Sequence, residues 1–239
     1  STVELRPGLT QVVGRWQRVL FVRFTHTVTR TPADPITLTP ASTSTANLLI
    51  PGISFAPLGG TTLGQTFIGR GFFAELTGSN HQLGSDADYL RLDVQDEKVF
   101  DLSPRWHLIT RGEFGWSRIG ELSDLPASER FFAGGDRSVR GFGLNELSPV
   151  DPVSQSKTGG RYLVVGSVEI ERDLPKRFAI AAFVDAGNAV NRLGDPLEYS
   201  VGIGLRWKLP ILSVGIDVAQ ALSQNIGPRL HLNITPNLK

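Results

Sequence analysis

Hydrophobic and polar residues alternate with a period of two along most of the chain. The clearest case is segment 199–208, in which the odd positions are large and apolar: Tyr199, Val201, Ile203, Leu205 and Trp207. The even positions are polar or small: Ser200, Gly202, Gly204, Arg206 and Lys208. Because successive side chains of a strand point to opposite faces, this pattern predicts a strand with one apolar and one polar face. The pattern recurs at residues 20–24, 90–95, 105–116, 212–219 and 229–234, so the chain is predicted to be all-β.

A soluble sheet also alternates, so alternation alone does not separate a β-sandwich from a membrane barrel. The predicted strands are about ten residues or longer, against about five or six in ordinary sheets. Trp106 and Trp116 stand at the two ends of one apolar face. This separation matches two interfacial aromatic girdles about 25 Å apart on tilted strands. These features favour an antiparallel transmembrane β-barrel.

The predicted connections alternate between tight turns and longer loops. The tight turns are Val13–Arg15, Asp101–Pro104, Asp173–Lys176 and Leu209–Pro210. The longer loops are Arg30–Ser42, Ser79–Asp88, Gly120–Gly160, Asn188–Pro196 and Leu222–Gly227, while Pro57–Gly69 is longer than a tight turn. Outer-membrane barrels have short periplasmic turns and long extracellular loops. About eleven strands are expected, and since bacterial single-chain barrels have even strand numbers, the barrel is predicted to be incomplete at its N-terminus.

Composition narrows the possible functions. The net charge of the 239 residues is +1, which favours neither nucleic acid nor an acidic partner. The chain has no cysteine, and its four histidines are scattered, so no disulfide, metal site or cofactor is expected. No serine lies in a Gly-x-Ser-x-Gly segment, so no esterase activity is expected. No apolar run approaches 18 residues, which excludes a transmembrane helix, and a mean hydropathy of −0.04 fits a barrel.

The longest connection, residues 120–160, contains an unusual segment. Residues 130–142 read Arg-Phe-Phe-Ala-Gly-Gly-Asp-Arg-Ser-Val-Arg-Gly-Phe. Loops of this length are usually functional or disordered, and the paired aromatics argue for function. Gly134 and Gly135 are a poor match to a phosphate-binding loop, because no Lys-Ser/Thr pair follows them. We interpret them as hinge residues that permit positive φ.

This segment resembles the sixth extracellular loop of the Omp85 superfamily. The hallmark of that loop, Val/Ile-Arg-Gly-Phe/Tyr, corresponds to Val139, Arg140, Gly141 and Phe142. The longer form is closest to the TamA branch, the outer-membrane subunit of the translocation and assembly module. Phe183–Asn188 resembles a motif of the thirteenth strand. Residues 230–238 resemble the last strand of TamA, although they lack the usual terminal aromatic residue.

The resemblance implies a sixteen-stranded barrel in the outer membrane of a Gram-negative bacterium. Residues 1–239 would form strands six to sixteen of this barrel, without its first five strands or its periplasmic POTRA domains. The resemblance also implies that the loop at residues 120–160 folds into the lumen, where Arg140 meets carboxylates of the wall.

Strand parity places Glu169 and Asp185 on the lumen side. A guanidinium offers a planar fork suited to a carboxylate, so both are predicted partners of Arg140. The alternative is that these carboxylates are solvated and have no special partner.

The last strand is the predicted lateral seam, with Leu230, Leu232 and Ile234 on its lipid side. It begins after Gly227 and Pro228. Proline cannot donate to a strand ladder and is found at edges or strand starts. The pair therefore fits a weak seam and an ordinary strand start equally well.

The implied function is insertion or translocation of outer-membrane proteins, including autotransporters, without covalent chemistry or a cofactor. Client strands would pair with an open strand edge by β-augmentation. The expected partners are the lipid bilayer, unfolded outer-membrane proteins, and an inner-membrane or periplasmic protein bound through POTRA domains. No nucleic acid is expected. The alternatives are a BamA-like insertase, a two-partner secretion transporter, the barrel of a patatin-like secreted phospholipase, and a passive porin.

Overall fold

The computed structural model describes residues 1–31, 42–58, 61–63, 66–68 and 71–236. The strands are β1 (Thr2–Leu5), β2 (Gly8–Val13), β3 (Trp16–Thr31), β4 (Ser42–Pro57), β5 (Thr61–Leu63), β6 (Thr66–Ile68), β7 (Gly71–Ser79), β8 (Tyr89–Ser103), β9 (Trp106–Ile119), β10 (Tyr162–Asp173), β11 (Phe178–Val190), β12 (Glu198–Lys208), β13 (Leu212–Ala221) and β14 (Arg229–Pro236). Short 3-10 turns lie at His81–Leu83, Leu122–Asp124, Ala127–Glu129 and Pro175–Arg177. Within these residues, no helix is long and apolar enough to cross a membrane.

Twelve of the strands form one antiparallel sheet, which confirms the predicted all-β class. Its order is β1-β3-β4-β7-β8-β9-β10-β11-β12-β13-β14, with β2 also on β3, while β5 and β6 form a separate hairpin. Strand neighbours in the sheet are mostly neighbours in the chain, as in an up-and-down barrel. The predicted five strands after the long connection are β10 to β14.

β1 and β2 are two parts of one interrupted strand. Their pairing with β3 keeps a single register from Thr2↔Thr27 to Val13↔Trp16. The interruption includes Pro7, which has no N–H to donate, although its carbonyl oxygen still accepts from the Val22 N–H at 3.0 Å. If these two are counted as one, the described part of the sheet has eleven strand positions, the predicted number.

The two faces of the sheet have inverted polarity compared with a soluble protein. The outward face is apolar, and Ile203 on it is 67% exposed. The inward face carries the buried charges, including Arg23, Asp185 and Asp217. Charged residues are rarely buried in soluble domains unless they are paired. An exposed apolar band around a polar interior is the arrangement of a transmembrane barrel.

Connections at the two ends of the sheet differ in length, as predicted. The tight-turn end carries residues 14–15, 104–105, 174–177 and 209–211. The loop end carries residues 80–88, 120–161, 191–197 and 222–228. Most of the predicted connection Arg30–Ser42 lies outside the described residues. The predicted exception, Pro57–Gly69, includes the β5–β6 hairpin.

Residues 120–161, called the long loop below, pack against the inward face of the sheet. The first buried apolar cluster combines loop and strand residues: Phe131, Ala133, Val139, Phe142, Leu147, Leu163, Val165, Ala189 and Ala221. A second cluster lies against β4 and β8 and contains Leu48, Ile50, Ala87, Tyr89, Ile119 and Leu125. Because loop residues contact strands from β3 to β14, the sheet curls around the long loop.

Candidate functional site: the anchored long loop

The Arg140 side chain lies buried between the long loop and the inward faces of β10 and β11, and it is 2% exposed. Its Nε and Nη2 donate to the two carboxylate oxygens of Asp185, each at 2.8 Å. Its Nη1 donates to Oε2 of Glu169 at 2.6 Å. The Arg140 backbone N–H also donates to Asp185, at 3.1 Å. The structure therefore brings the two predicted carboxylates and the loop arginine together, and a bidentate pair of this kind fixes both position and orientation.

The ion pairs extend beyond the predicted residues. Arg206 donates to Oε1 of Glu169 at 3.0 Å and to Oδ2 of Asp217 at 3.1 Å. Asp217 Oδ2 also lies 3.5 Å from Arg140 Nη1. Arg206 and Asp217 were not among the predicted partners of Arg140. The alternation of polar and apolar residues along their strands could have indicated them, because it puts both side chains on the polar, inward face.

Ser167 joins this cluster through its hydroxyl group. It donates to Asp185 Oδ1 at 2.7 Å and accepts from Arg111 Nη2 at 3.2 Å. The cluster thus holds three guanidinium groups and three carboxylates. Buried charges are costly unless they are paired and hydrogen-bonded, and Arg140 and Arg206 meet that condition through their ion pairs with the three carboxylates.

Aromatic packing and close backbone approach complete the Arg140 pocket. The Arg140 guanidinium carbon lies 3.2 Å from the centroid of the Phe183 ring. That ring covers Gly202, its partner across the β11–β12 ladder, where a Cβ atom would overlap the ring. A Cβ atom on Gly141 would lie 2.6 Å from Ser200 Cβ and 2.8 Å from the Ala221 nitrogen. Glycine at 141 therefore lets the loop backbone lie directly on the wall.

The predicted hinge residues shape the tip of the loop. Gly134 and Gly135 both have φ of 99°, in a region that glycine adopts without strain. The Gly135 N–H donates to the Phe142 carbonyl at 3.1 Å, and the chain reverses between Ala133 and Leu147. Val139 and Phe142 are buried in the first apolar cluster.

A second buried ion pair anchors the start of the long loop to β3. Glu129 is 1% exposed and accepts from Arg23 Nη2 at 2.7 Å and from the Tyr89 hydroxyl at 3.1 Å. Arg23 Nη1 also lies 3.7 Å from Glu4. This anchor was not predicted, although alternation with Val22 and Phe24 indicated that Arg23 faces inward.

Arg130 makes contacts within the long loop. Arg130 donates to the carbonyl oxygens of Leu125 at 2.7 Å and Thr158 at 2.8 Å, which ties the two ends of the loop together. Burial lowers the pKa of the Arg130 guanidinium. Near the exposed part of the loop, the Ser154 and Val153 backbone N–H groups donate to Asp151 and lower the pKa of its carboxyl group.

The predicted seam strand, β14, contacts the same loop on its inward face. Asp136 bonds His231, and Glu146 lies 2.9 Å from Arg229. Leu230, Leu232 and Ile234 point outward and are exposed, and Gly227 and Pro228 precede the strand. β14 pairs with β13 along one edge, while no described strand pairs with its other edge. The seam residues are therefore separate from the Arg140 cluster but joined to it through the loop.

Comparison with known proteins assigns the family. The Omp85 superfamily domain matches residues 65–234, most of the chain. The chain belongs to the Omp85 superfamily. It is accordingly a protein of the Gram-negative outer membrane, as predicted. In the described part of the chain, no three His, Cys, Asp or Glu side chains gather as metal ligands.

Two curated relatives are outer membrane protein assembly factors named BamA. The protein of Nitratidesulfovibrio vulgaris (strain Hildenborough) is 30% identical over 138 residues, which cover 54% of this chain and 17% of the relative. That of Neorickettsia risticii (strain Illinois) is 29% identical over 167 residues, covering 62% of this chain and 21% of the relative. This Omp85 chain thus spans a minor part of the length of these relatives.

Solved Omp85 structures have the same fold. BamA from Haemophilus ducreyi lacking POTRA domains 1–3 superposes with a TM-score of 0.71 at 17% identity, over 98% of this chain and 54% of that chain. CdiB from Acinetobacter baumannii superposes with a TM-score of 0.59 at 15% identity, over 98% of this chain and 41% of that chain.

Proposed function

We propose that this Omp85 chain is the part of an outer-membrane insertase that presents a strand edge to unfolded outer-membrane proteins. The observation that carries the proposal is the connection from the buried Arg140 cluster, through the long loop, to the inward face of β14. The description of the curated relatives as assembly factors supports the same function.

The proposed mechanism is non-covalent and uses the main chain. An edge strand exposes unpaired N–H and C=O groups, which can template an added strand. The edge of β14 would offer these groups to a client strand, while Leu230, Leu232 and Ile234 keep that edge in the lipid. The mechanism makes and breaks no covalent bond and uses no cofactor.

Arg140 is the positioning residue in this mechanism. It fixes the loop tip on β10 and β11, and this places Asp136 and Glu146 against β14. The Glu129 anchor holds the start of the loop on β3 and β8. Together these contacts would hold β14 in position while its outer edge exchanges partners.

We also propose which proteins the chain assembles. The loop motif and the last strand resemble TamA, which favours autotransporters as clients, whereas the curated relatives are BamA proteins. We include a periplasmic or inner-membrane partner reached through POTRA domains on the same grounds of family resemblance.

The test replaces Arg140 in the complete protein and measures client assembly in proteoliposomes. Arg140→Ala is expected to make the long loop sensitive to protease and to slow client folding by at least about tenfold. The reason is that this one side chain makes the charge-assisted hydrogen bonds to both Asp185 and Glu169. Arg140→Lys keeps the charge but not the planar fork, so we expect an intermediate rate.

Arg118→Ala is the matched control, since this arginine lies on the exposed outward face of β9. It should leave assembly unchanged. Wild-type assembly together with wild-type protease resistance in Arg140→Ala would contradict the proposal.

A further inference from the structure

The outward surface at the tight-turn end of β9 to β12 carries an aromatic girdle. Trp106, Phe178 and Trp207 are all exposed there. The Phe178 and Trp207 rings are stacked, with centroids 6.2 Å apart and planes at 17°. Such aromatic residues mark the boundary between hydrocarbon and headgroups. Since tight turns are periplasmic in outer-membrane barrels, this boundary belongs to the periplasmic leaflet.

An arginine lies within this girdle and points outward. Arg172 is exposed and shares the outward face of β10 with Val168 and Ile170, whereas Glu169 and Glu171 between them are buried. Arg172 is paired with Trp106 across the β9–β10 ladder. Its guanidinium carbon lies 5.3 Å from the centroid of the Trp106 ring. This distance is within the range of a cation–π contact, and the edge of the guanidinium can still donate to a further acceptor.

Three more cations lie in the two turns next to the end of β10. Arg105 precedes Trp106, and its carbonyl oxygen accepts from the Asp173 N–H at 2.8 Å, which places that turn beside the end of β10. Lys176 and Arg177 form the turn between β10 and β11. All are exposed. We call Arg105, Arg172, Lys176 and Arg177 the basic rim.

Within the described part of the chain, the basic rim has no counter-ion. Among the described residues, no carboxylate forms an ion pair with any of its four cations. The carboxylates next to Arg172 in sequence, Glu171 and Asp173, face inward and each lie 2.5 Å from Lys208 Nζ. Asp101, four residues before Arg105, lies 2.6 Å from Nδ1 of His107. The outward faces of β9 to β12, all within the described residues, carry no Asp or Glu. Four exposed cations without a paired carboxylate among the described residues give this surface a positive potential that attracts an external anion.

We propose that the basic rim binds the headgroup phosphates of anionic phospholipids in the periplasmic leaflet. Lipid phosphates lie at the height of the aromatic girdle. A guanidinium fork pairs with phosphate oxygens in a bidentate manner, and Trp106 orients the Arg172 fork from one side. Basic residues at a membrane surface attract anionic lipids. The site would hold the base of β9 to β11 at a fixed depth while the far edge at β14 accepts clients.

The test is a lipid titration of the complete protein in neutral detergent, followed by native mass spectrometry. The probes are phosphatidylglycerol and phosphatidylcholine with identical chains. The wild-type protein is expected to bind phosphatidylglycerol in preference to phosphatidylcholine. Arg172→Gln should weaken phosphatidylglycerol binding about tenfold, the usual effect of losing one charge-assisted hydrogen bond.

Arg118→Gln is the matched control, because it removes an exposed outward arginine from the opposite end of β9. It should leave the phosphatidylglycerol preference intact. If the wild-type protein binds phosphatidylglycerol and phosphatidylcholine equally well, the proposal is overturned whatever the variants show. Unchanged binding in Arg172→Gln, or an equal loss in Arg118→Gln, would also overturn it. Displacement of the lipid by millimolar inorganic phosphate would identify a free-anion site instead and would overturn the lipid assignment.

Discussion

The buried guanidinium of Arg140 ties the tip of the long loop to the wall of the barrel. Arg140 has Asp185 and Glu169 as partners, and Phe183 covers its flat face. Removing one partner from such a group leaves an unpaired buried charge, which typically costs about 3 to 5 kcal/mol. Arg140 therefore holds the loop tip at one position on the wall, which a flexible lysine would not do.

The ion pair between Glu129 and Arg23 is a second anchor of the long loop, and its contribution to the free energy of unfolding can be measured independently. We expect Glu129→Gln to destabilise the folded protein by about 3 kcal/mol, because Arg23 loses its main counter-charge in a buried site. Residues 120–130 should then become sensitive to protease. The loss of stability is measured as the change in the free energy of unfolding, determined by urea titration in bilayers.

The double variant Arg23→Met/Glu129→Leu serves as the control for that anchor. It removes both charges, so it should recover much of the lost stability. An additive loss in the double variant would show that the two side chains do not interact. Glu4, at 3.7 Å from Arg23, is expected to compensate for little of the effect.

At the scale of elements, strand parity carries most of the information that the sequence holds. Alternation predicts which side chains of β8 to β14 face inward, including Glu169 and Asp185, because the period of a strand is fixed by its geometry. It does not predict which inward residues meet. Arg23 and Glu129 are 106 positions apart, and Glu129 lies in a loop that has no period. The path of that loop depends on packing of Phe131 and Phe142 and on Gly141, which sequence patterns do not report.

The Gly141 backbone lies so close to Ser200 and Ala221 that there is no room for a side chain. Gly141→Ala would place a methyl group within 2.9 Å of Ser200 Cβ and of backbone atoms of Ala221, and the backbone cannot move aside easily. We expect a loss of about 1 to 3 kcal/mol and a displaced loop tip. Thermal unfolding in micelles and protease sensitivity of residues 130–147 would measure both effects.

Gly166→Ala is the matched control for this substitution. Gly166 lies on the outward face of β10, and a Cβ atom there would meet nothing within 4 Å. This variant should be as stable as the wild type. Equal stability of Gly141→Ala would show that the loop does not press on the wall.

At the scale of the whole molecule, the interior is polar and the surface is apolar. The sheet therefore encloses its charges around the long loop and exposes Leu, Ile and Trp to lipid. The loop contacts β3 near one end of the sheet and β14 at the other. We therefore expect the long loop to couple the inner wall to the terminal strand.

The coupling to β14 is carried by two contacts that can be removed without touching the Arg140 cluster. The Arg229 and Glu146 side chains are 38% and 37% exposed, so their pair is worth only about 0 to 1 kcal/mol. Asp136 bonds His231, which is more deeply buried. Removing both contacts with Asp136→Asn/Glu146→Gln should cost about 1.4 kcal/mol of local stability, which corresponds to about tenfold faster opening of β14.

Hydrogen–deuterium exchange measures this opening strand by strand. Amides of β14 should exchange about tenfold faster in the double variant, while those of β10 and β11 keep their wild-type rates because Arg140 still binds Asp185 and Glu169. Faster exchange confined to β14 would be expected to change client assembly, since the proposed template is the edge of that strand. Uniformly faster exchange would instead mean that the substitutions loosen the entire loop. Unchanged exchange in β14 would exclude the loop as the element that controls the terminal strand.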